Sequence, residues 1–296
     1  MHENVEIIEV SPRDGLQNEP EIISTANKIA LINSALDLGI KRIEVASFVN
    51  PKRVPQMANA EDVISGLDFA RAATYIGLVL NGRGAERALQ TKVHELGAVA
   101  CASDGFAMRN QGQTSIESAH IAANIVKMAQ SAGRTGQVTI STAFGCPFDG
   151  PTDPAHVVEI VKILAAAKPR EIALADTIGV AVPAQVSALI EMVKPHLGDI
   201  PLRAHFHNTR NTGIANAWAA YSSGVRILDS SLGGLGGCPF APKATGNIPT
   251  EDLAYMLFKS GVDIGLDMEK LVETGLWLEG IMGKKLPAML PHAGMY

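Results

Sequence analysis

His205 and His207 stand two positions apart in a short apolar run, with Phe206 between them. If the run is extended, both imidazoles lie on one face and Phe206 on the other. Two imidazoles so placed can hold one divalent cation when a hard oxygen ligand completes the set. Asp14, in the segment Ser11-Pro12-Arg13-Asp14-Gly15-Leu16-Gln17, is a candidate for that oxygen, and Asn247 offers an amide oxygen. Such a donor set describes an open octahedral position for Mg²⁺ or Mn²⁺, with water or substrate oxygens filling the rest. Structural zinc is disfavoured, because no thiolate pair stands at the required spacing. The alternative is a pair of core histidines hydrogen-bonded to Asp176 or Glu44. Acidic residues at several neighbouring positions favour the cation.

Other candidates surround this one. Arg13, always cationic and next to Asp14, is suited to an oxyanion or enolate; its other reading is an internal salt bridge with Asp14 or Glu44. Glu44 either touches substrate or orients Arg13. Cys238 follows four glycines in five residues, a loop that changes conformation cheaply and can carry a thiol over a substrate. That loop is no P-loop, since no Gly-Lys-Ser/Thr follows at the right spacing. Cys101, inside an apolar run, and Cys146, in a Gly-Cys-Pro turn, read as inert. Glu251 and Asp252 follow Thr250 at a helix start, where capping explains them, although Glu251 is within reach of the site edge.

The elements that must position these groups alternate along the chain. Short β-branched runs at 5–10, 42–47, 74–80, 98–103, 137–143, 171–177, 202–208 and 226–232 are each followed by a helical pattern, at 25–38, 57–66, 83–95, 115–132, 154–168, 183–196, 212–222 and 250–259. Eight strand–helix units of roughly 30 residues fit a (β/α)8 TIM barrel. An open doubly wound sheet shows the same alternation. The barrel is preferred because the count reaches eight, polar residues recur at the strand ends, and no GxGxxG follows a strand. One domain over 1–296 is expected, with the barrel at about 5–260 and helical material at about 261–296, where Pro287 and Pro291 end the order. In a barrel the site is built at the C-terminal ends of the strands. There Gln17, Asp176, Thr177 and Asn208 are expected to join Arg13 in binding substrate.

Composition narrows the class. The 296 residues are 47% hydrophobic and 19% charged, enough to fill a core and too apolar for disorder. A net charge of −5 with no basic run speaks against nucleic-acid partners. No apolar run is long enough to span a bilayer, which leaves no membrane partner to expect. The N-terminus lacks the character of a signal or transit peptide, and three cysteines without CxxC spacing suit a reducing setting, so a cytoplasmic location is expected.

Taken together, these motifs resemble a known family. The run from Ser11 through Arg13, Asp14 and Gln17 to Glu19, the segment from Glu44 to Pro51 with Val54-Pro55-Gln56-Met57 after it, His205-Phe206-His207, and Gly234-Leu235-Gly236-Gly237-Cys238-Pro239-Phe240-Ala241 occur in the order found in 3-hydroxy-3-methylglutaryl-CoA (HMG-CoA) lyases. The likeness runs from about residue 5 to about residue 280. It implies a divalent cation held by Asp14, His205, His207 and Asn247, an enolate stabilised by Arg13, and an acid–base thiol at Cys238. It also implies an acyl-CoA thioester as substrate, cleaved in a retro-Claisen step. The chain departs from the family pattern where Asn208 replaces an aspartate, where Ser103-Asp104 replaces Ser-Glu, where Pro20 replaces a lysine, and at Lys243.

The expected function is therefore metal-dependent cleavage of HMG-CoA to acetoacetate and acetyl-CoA. The departures motivate the same chemistry on another 3-hydroxyacyl-CoA such as citramalyl-CoA, and a barrel that only binds acyl-CoA or a partner protein is the reading from another class. An exposed barrel face leaves room for a homodimer.

Overall fold

The computed structural model describes residues 4–237 and 246–296. Strands β1 (Glu6–Glu9), β2 (Arg42–Ser47), β3 (Thr74–Val79), β4 (Glu95–Cys101), β5 (Thr135–Ser141), β6 (Ile172–Asp176), β7 (Leu202–Phe206) and β8 (Ile227–Ser230) pair in chain order, and β8 closes on β1. All pairings are parallel, with Ile8 opposite Arg42, Glu6 opposite Ile227 and Ala204 opposite Leu228. The expected (β/α)8 barrel is the fold.

The strands are short and mostly buried on both faces, as a parallel sheet sheathed by helices requires; all six residues of β2 are buried. The helices are α1 (Thr25–Asp37), α2 (Ala60–Ser65), α3 (Gly82–Leu89), α4 (Asp104–Gln111), α5 (Ser115–Ser131), α6 (Pro154–Ala165), α7 (Pro183–Val193), α8 (Gly213–Ser222), α9 (Thr250–Lys259), α10 (Met268–Met282) and α11 (Leu290–Ala293). Capping side chains end several of the connecting loops. Ser24, Asn81, Ser103 and Asp153 each accept a backbone N–H of the helix that follows, and Thr114 with Glu117 forms a full capping box.

Three expectations are corrected. The helix expected at 83–95 ends at Leu89, where the Thr91 hydroxyl turns back to the Ala88 carbonyl (2.7 Å), and Glu95 already belongs to β4. A carboxylate can begin that strand because Arg42 and Arg170 reach it inside the barrel, at 2.7 and 2.8 Å. The expected elements leave 104–114 unassigned, and α4 arises there: Ser103 caps its start and Gly112, at φ 72°, ends it. Pro291 does not end order but opens α11, where its fixed φ and missing N–H cost nothing. Helices α10 and α11 pack under the β8 loop, so closely that a Cβ on Gly275 would lie 2.7 Å from Pro291 and 2.8 Å from Glu251.

The N-terminal end of the barrel interior is charged. Arg42 binds Glu171 with both terminal nitrogens (2.9 and 3.0 Å) and also reaches Glu95 and Glu6. Glu95 and Glu171 are almost wholly shielded from solvent. Removing one partner of such a cluster leaves uncompensated buried charge, which costs about 3–5 kcal/mol. Arg42→Met should therefore lower unfolding free energy by about that amount in urea denaturation. A loss below about 1 kcal/mol would show that Arg170 and Arg203 suffice without Arg42.

Candidate active site

Beyond β1 the chain makes one wide helical turn, Ser11–Gly15, which brings Arg13 and Asp14 over the C-terminal mouth of the barrel. Glu9, fully buried at the end of β1, anchors that turn. Its carboxylate accepts the N–H of Ser11 (2.8 Å), the N–H of Leu232 (2.9 Å) and the hydroxyl of Thr250 (2.7 Å), so the loops after β1 and β8 and the start of α9 share one knot. Strand β7 turns His205 and His207 inward, while Phe206 packs outward against Phe144. The segment at 246–248 then pairs back on the end of β7: Ile248 N–H donates to Phe206 O (3.1 Å), Asn208 N–H to Gly246 O (2.8 Å), and His207 is bridged to Asn247. Asn247, distant in sequence from Asp14, thereby donates to its Oδ2 at 2.9 Å. Gly236 must be glycine for this approach, since at φ 109° a Cβ would sit 2.6 Å from Asn247 Nδ2.

Asp14 Oδ2 lies 3.8 Å from Nε2 of His205 and 3.8 Å from Nε2 of His207, and the three side chains offer ligand atoms within 4.8 Å of one another. Burial works against ionisation of Asp14, but Arg13 and the two imidazoles outweigh it and hold the carboxyl well below its ordinary range. Both ring nitrogens of His207 and Oδ1 of Asn247 are buried with no hydrogen-bond partner among the described residues. A neutral imidazole has one acceptor nitrogen, and that nitrogen of His207 and the Asn247 Oδ1 are orphaned buried acceptors, whose cost a cation placed between them would remove. One carboxylate oxygen, two imidazole nitrogens and one amide oxygen thus fit a divalent cation.

Arg13 donates from Nε to Glu44 and from a terminal nitrogen to Asp14, so its head is fixed at the cavity wall. Both readings of Arg13 therefore hold at once: it is ion-paired, and it faces the cavity. Burial raises the Glu44 carboxyl despite Arg13. Burial lowers His205, but the hydrogen bond and charge of Asp229 prevail and leave it raised. The cavity these groups share encloses about 180 Å³. Arg13, Asp14, Glu44, His205, His207 and Asp229 form its charged side; Val49, Leu78, Leu80, Val99 and Phe106 form an apolar wall; Asn110, Thr139, Ser141 and Thr177 add neutral polar groups.

Of the five substrate-binding residues expected from sequence, Arg13, Gln17 and Thr177 line the cavity, and Asp176 and Asn208 do not. Asp176 is fully buried and its carboxylate accepts the N–H groups of Val180 (2.9 Å) and Ala181 (3.0 Å), which holds the β6 loop. Asn208 accepts the Gly213 N–H at 3.0 Å and shapes the start of α8. Cys238 and Lys243 lie outside the described residues. Cys101 is buried, with its thiol pushed up to about 11 by burial, and the Cys146 sulfur accepts two backbone N–H groups of its turn. Capping does not account for Glu251 and Asp252. Glu251 accepts the Gly233 N–H with both oxygens (2.9 and 3.0 Å) beneath the β8 loop, and Asp252 holds the N–H groups of Met289 and Leu290. Asp229 is the functional candidate that sequence reading passed over, although a carboxylate inside an apolar strand was its signal. Asn110 was hidden because it arrives on the unforeseen α4.

The sequence pattern of the HMGL-like family matches residues 4–276. The chain belongs to the HMGL-like family. It is 42% identical to (R)-citramalyl-CoA lyase of Chloroflexus aurantiacus, over 99% of this chain and 95% of that one. It is 40% identical to hydroxymethylglutaryl-CoA lyase YngG of Bacillus subtilis, over 96% and 95%. The structure of an HMG-CoA lyase from Acinetobacter baumannii in complex with coenzyme A and 3-methylmalate superposes with a TM-score of 0.91 at 39% identity, covering 98% of this chain and 95% of that one. The relatives of this HMGL-like chain are lyases, and it is an enzyme of that kind.

The Glu251 carboxyl beneath the β8 loop gives a test of its environment. Burial pushes it up to about 8 from an ordinary 4.5. The folded chain therefore keeps a proton that the unfolded chain releases, and the associated stability, complete below 4.5, is lost as pH rises through about 8. Glu251→Gln should melt higher than the wild type at about pH 8, with the gap closing toward about pH 5. An equal gap at both pH values would mean that Glu251 is ionised in the folded chain throughout.

Proposed function

We propose that this HMGL-like lyase cleaves 3-hydroxy-3-methylglutaryl-CoA to acetoacetate and acetyl-CoA with a divalent cation, Mg²⁺ or Mn²⁺. The observation that carries the reading is the convergence of Asp14, His205 and His207 beside a fixed Arg13 in one cavity, with Asn247 hydrogen-bonded to Asp14 behind it. A bound cation would supply Lewis acidity and an anchor for substrate oxygens.

The chain's own residues account for the rest of the reaction. The tertiary hydroxyl gives its proton to the Asp14 carboxylate, and the bond between C2 and C3 breaks with its electrons passing into the thioester carbonyl. Arg13, held by Glu44 and Asp14, presents a fixed positive charge to the enolate oxygen as it forms. A proton delivered to the enolate carbon completes acetyl-CoA, and Cys238 is the donor that the family resemblance assigns. The apolar wall of Val49, Leu78, Leu80, Val99 and Phe106 excludes water from the carbanion-like centre. Asp104, Asn208 and Pro20, three departures from the family pattern, all stand outside the cavity wall, which supports the parent acyl group.

A second reading, the same chemistry on citramalyl-CoA, draws support from the 42% identical relative of that name. Acetyl-CoA release distinguishes the two. We expect release from HMG-CoA that stops with EDTA and returns with Mg²⁺ or Mn²⁺. Release from citramalyl-CoA alone would establish the second reading, and no metal dependence with either thioester would overturn both. Arg13→Met should lower kcat by about 10²–10³ while KM changes little, the mark of an interaction made in the transition state. A raised KM with unchanged kcat would contradict the role given to Arg13.

A further inference from the structure

His205 is held from behind, and His207 is not. Nδ1 of His205 lies 3.1 Å from Asp229 Oδ2, whereas neither nitrogen of His207 has a hydrogen-bond partner among the described residues. Asp229 is itself gripped: Arg203 donates to its Oδ1 at 3.1 Å and to its Oδ2 at 3.3 Å, and both side chains are nearly inaccessible. Arg203 in turn donates to Thr139 at 2.8 Å and pairs with Glu171 at 3.3 Å, and Glu171 takes both terminal nitrogens of Arg42. A column of alternating charge thus runs up the barrel axis and ends on the back of one imidazole.

We propose that Asp229, locked by Arg203, fixes the tautomer of His205, making both of them positioning residues for the cation site. An ionised carboxylate only accepts hydrogen bonds, so the proton facing it must sit on Nδ1. Nε2 then carries the lone pair, and Nε2 is the nitrogen turned toward Asp14. Arginine only donates, so it cannot relax this choice. It enforces it.

The arrangement makes Asp229→Asn an informative change, because an amide has one accepting and one donating end. Arg203 lies nearer Oδ1 (3.1 Å) than Oδ2 (3.3 Å), which favours the amide oxygen at the Oδ1 end and turns the NH₂ toward His205. Nδ1 then becomes the acceptor and the proton moves to Nε2, where it blocks a metal. Adding Arg203→Met frees the amide to rotate, restoring the Nδ1–H tautomer, while Arg42 still neutralises Glu171.

The inference rests on reading Asp14, His205 and His207 as cation ligands, and the experiment separates the two. Histidine ¹⁵N and ¹³C shifts, recorded on metal-free protein above the imidazole titration, should report Nδ1–H at His205 in the wild type and Nε2–H in Asp229→Asn. Mn²⁺ affinity by calorimetry should fall about tenfold or more in Asp229→Asn and recover in the double variant. An unchanged tautomer in folded Asp229→Asn overturns the proposal, whatever the metal affinity. Should the double variant fail to fold, the single variant's tautomer still decides. Wild-type protein that takes up no Mn²⁺ but shows the tautomer exchange would overturn the cation site and the positioning role toward it, and leave only the tautomer lock standing.

Discussion

A charge inside a protein must be paired or neutralised, and this barrel carries charge along its whole axis. Arg42, Glu95 and Glu171 fill the N-terminal end, Arg203 and Asp229 the middle, and Arg13, Asp14, Glu44, His205 and His207 the C-terminal mouth. Pairing is close to complete at the bottom and incomplete at the top. There Asp14 faces two imidazoles at 3.8 Å, and the His207 ring and the Asn247 Oδ1 have no hydrogen-bond partner among the described residues. The incompleteness lies where barrel enzymes do their chemistry, and a divalent cation would remove it.

Closing the sheet makes this possible. Because β8 pairs with β1, the turn carrying Arg13 and Asp14 stands beside the loop that returns Asn247 to the end of β7. Glu9 ties those loops from below, and Glu251 supports the β8 loop with a second buried carboxyl. The site thus draws on β1, β2, β7 and β8 and on the loops after β1 and β8, whose backbone N–H groups buried carboxylates hold.

Much of this was legible before any coordinates. Alternation of β-branched runs and helical stretches announced eight units, because parallel strands buried on both faces leave continuous apolar runs. His205 and His207 were legible because strand periodicity places alternate residues on one face. Residues whose role depends on contacts distant in sequence were harder to read. Glu95 looked helical because its ion-pair partner Arg42 lies far back in the chain, and Asp176 looked like a substrate-binding residue, whereas its carboxylate is taken by the N–H groups of Val180 and Ala181. Asp229 passed as a strand-end polar residue because its work is done on the strand beside it. The family resemblance supplied roles that spacing alone left open, above all for Arg13 and Asn247.

The central claim is that Asp14, His205, His207 and Asn247 form a cation site in this chain. Calorimetric titration of metal-stripped protein with Mn²⁺ tests it most directly. The account predicts one ion bound per chain, with binding lost in a folded His207→Ala variant, since neither ring nitrogen of His207 has a hydrogen-bond partner among the described residues. Wild-type protein that binds no Mn²⁺, or a His207→Ala variant that binds it as tightly, would contradict it.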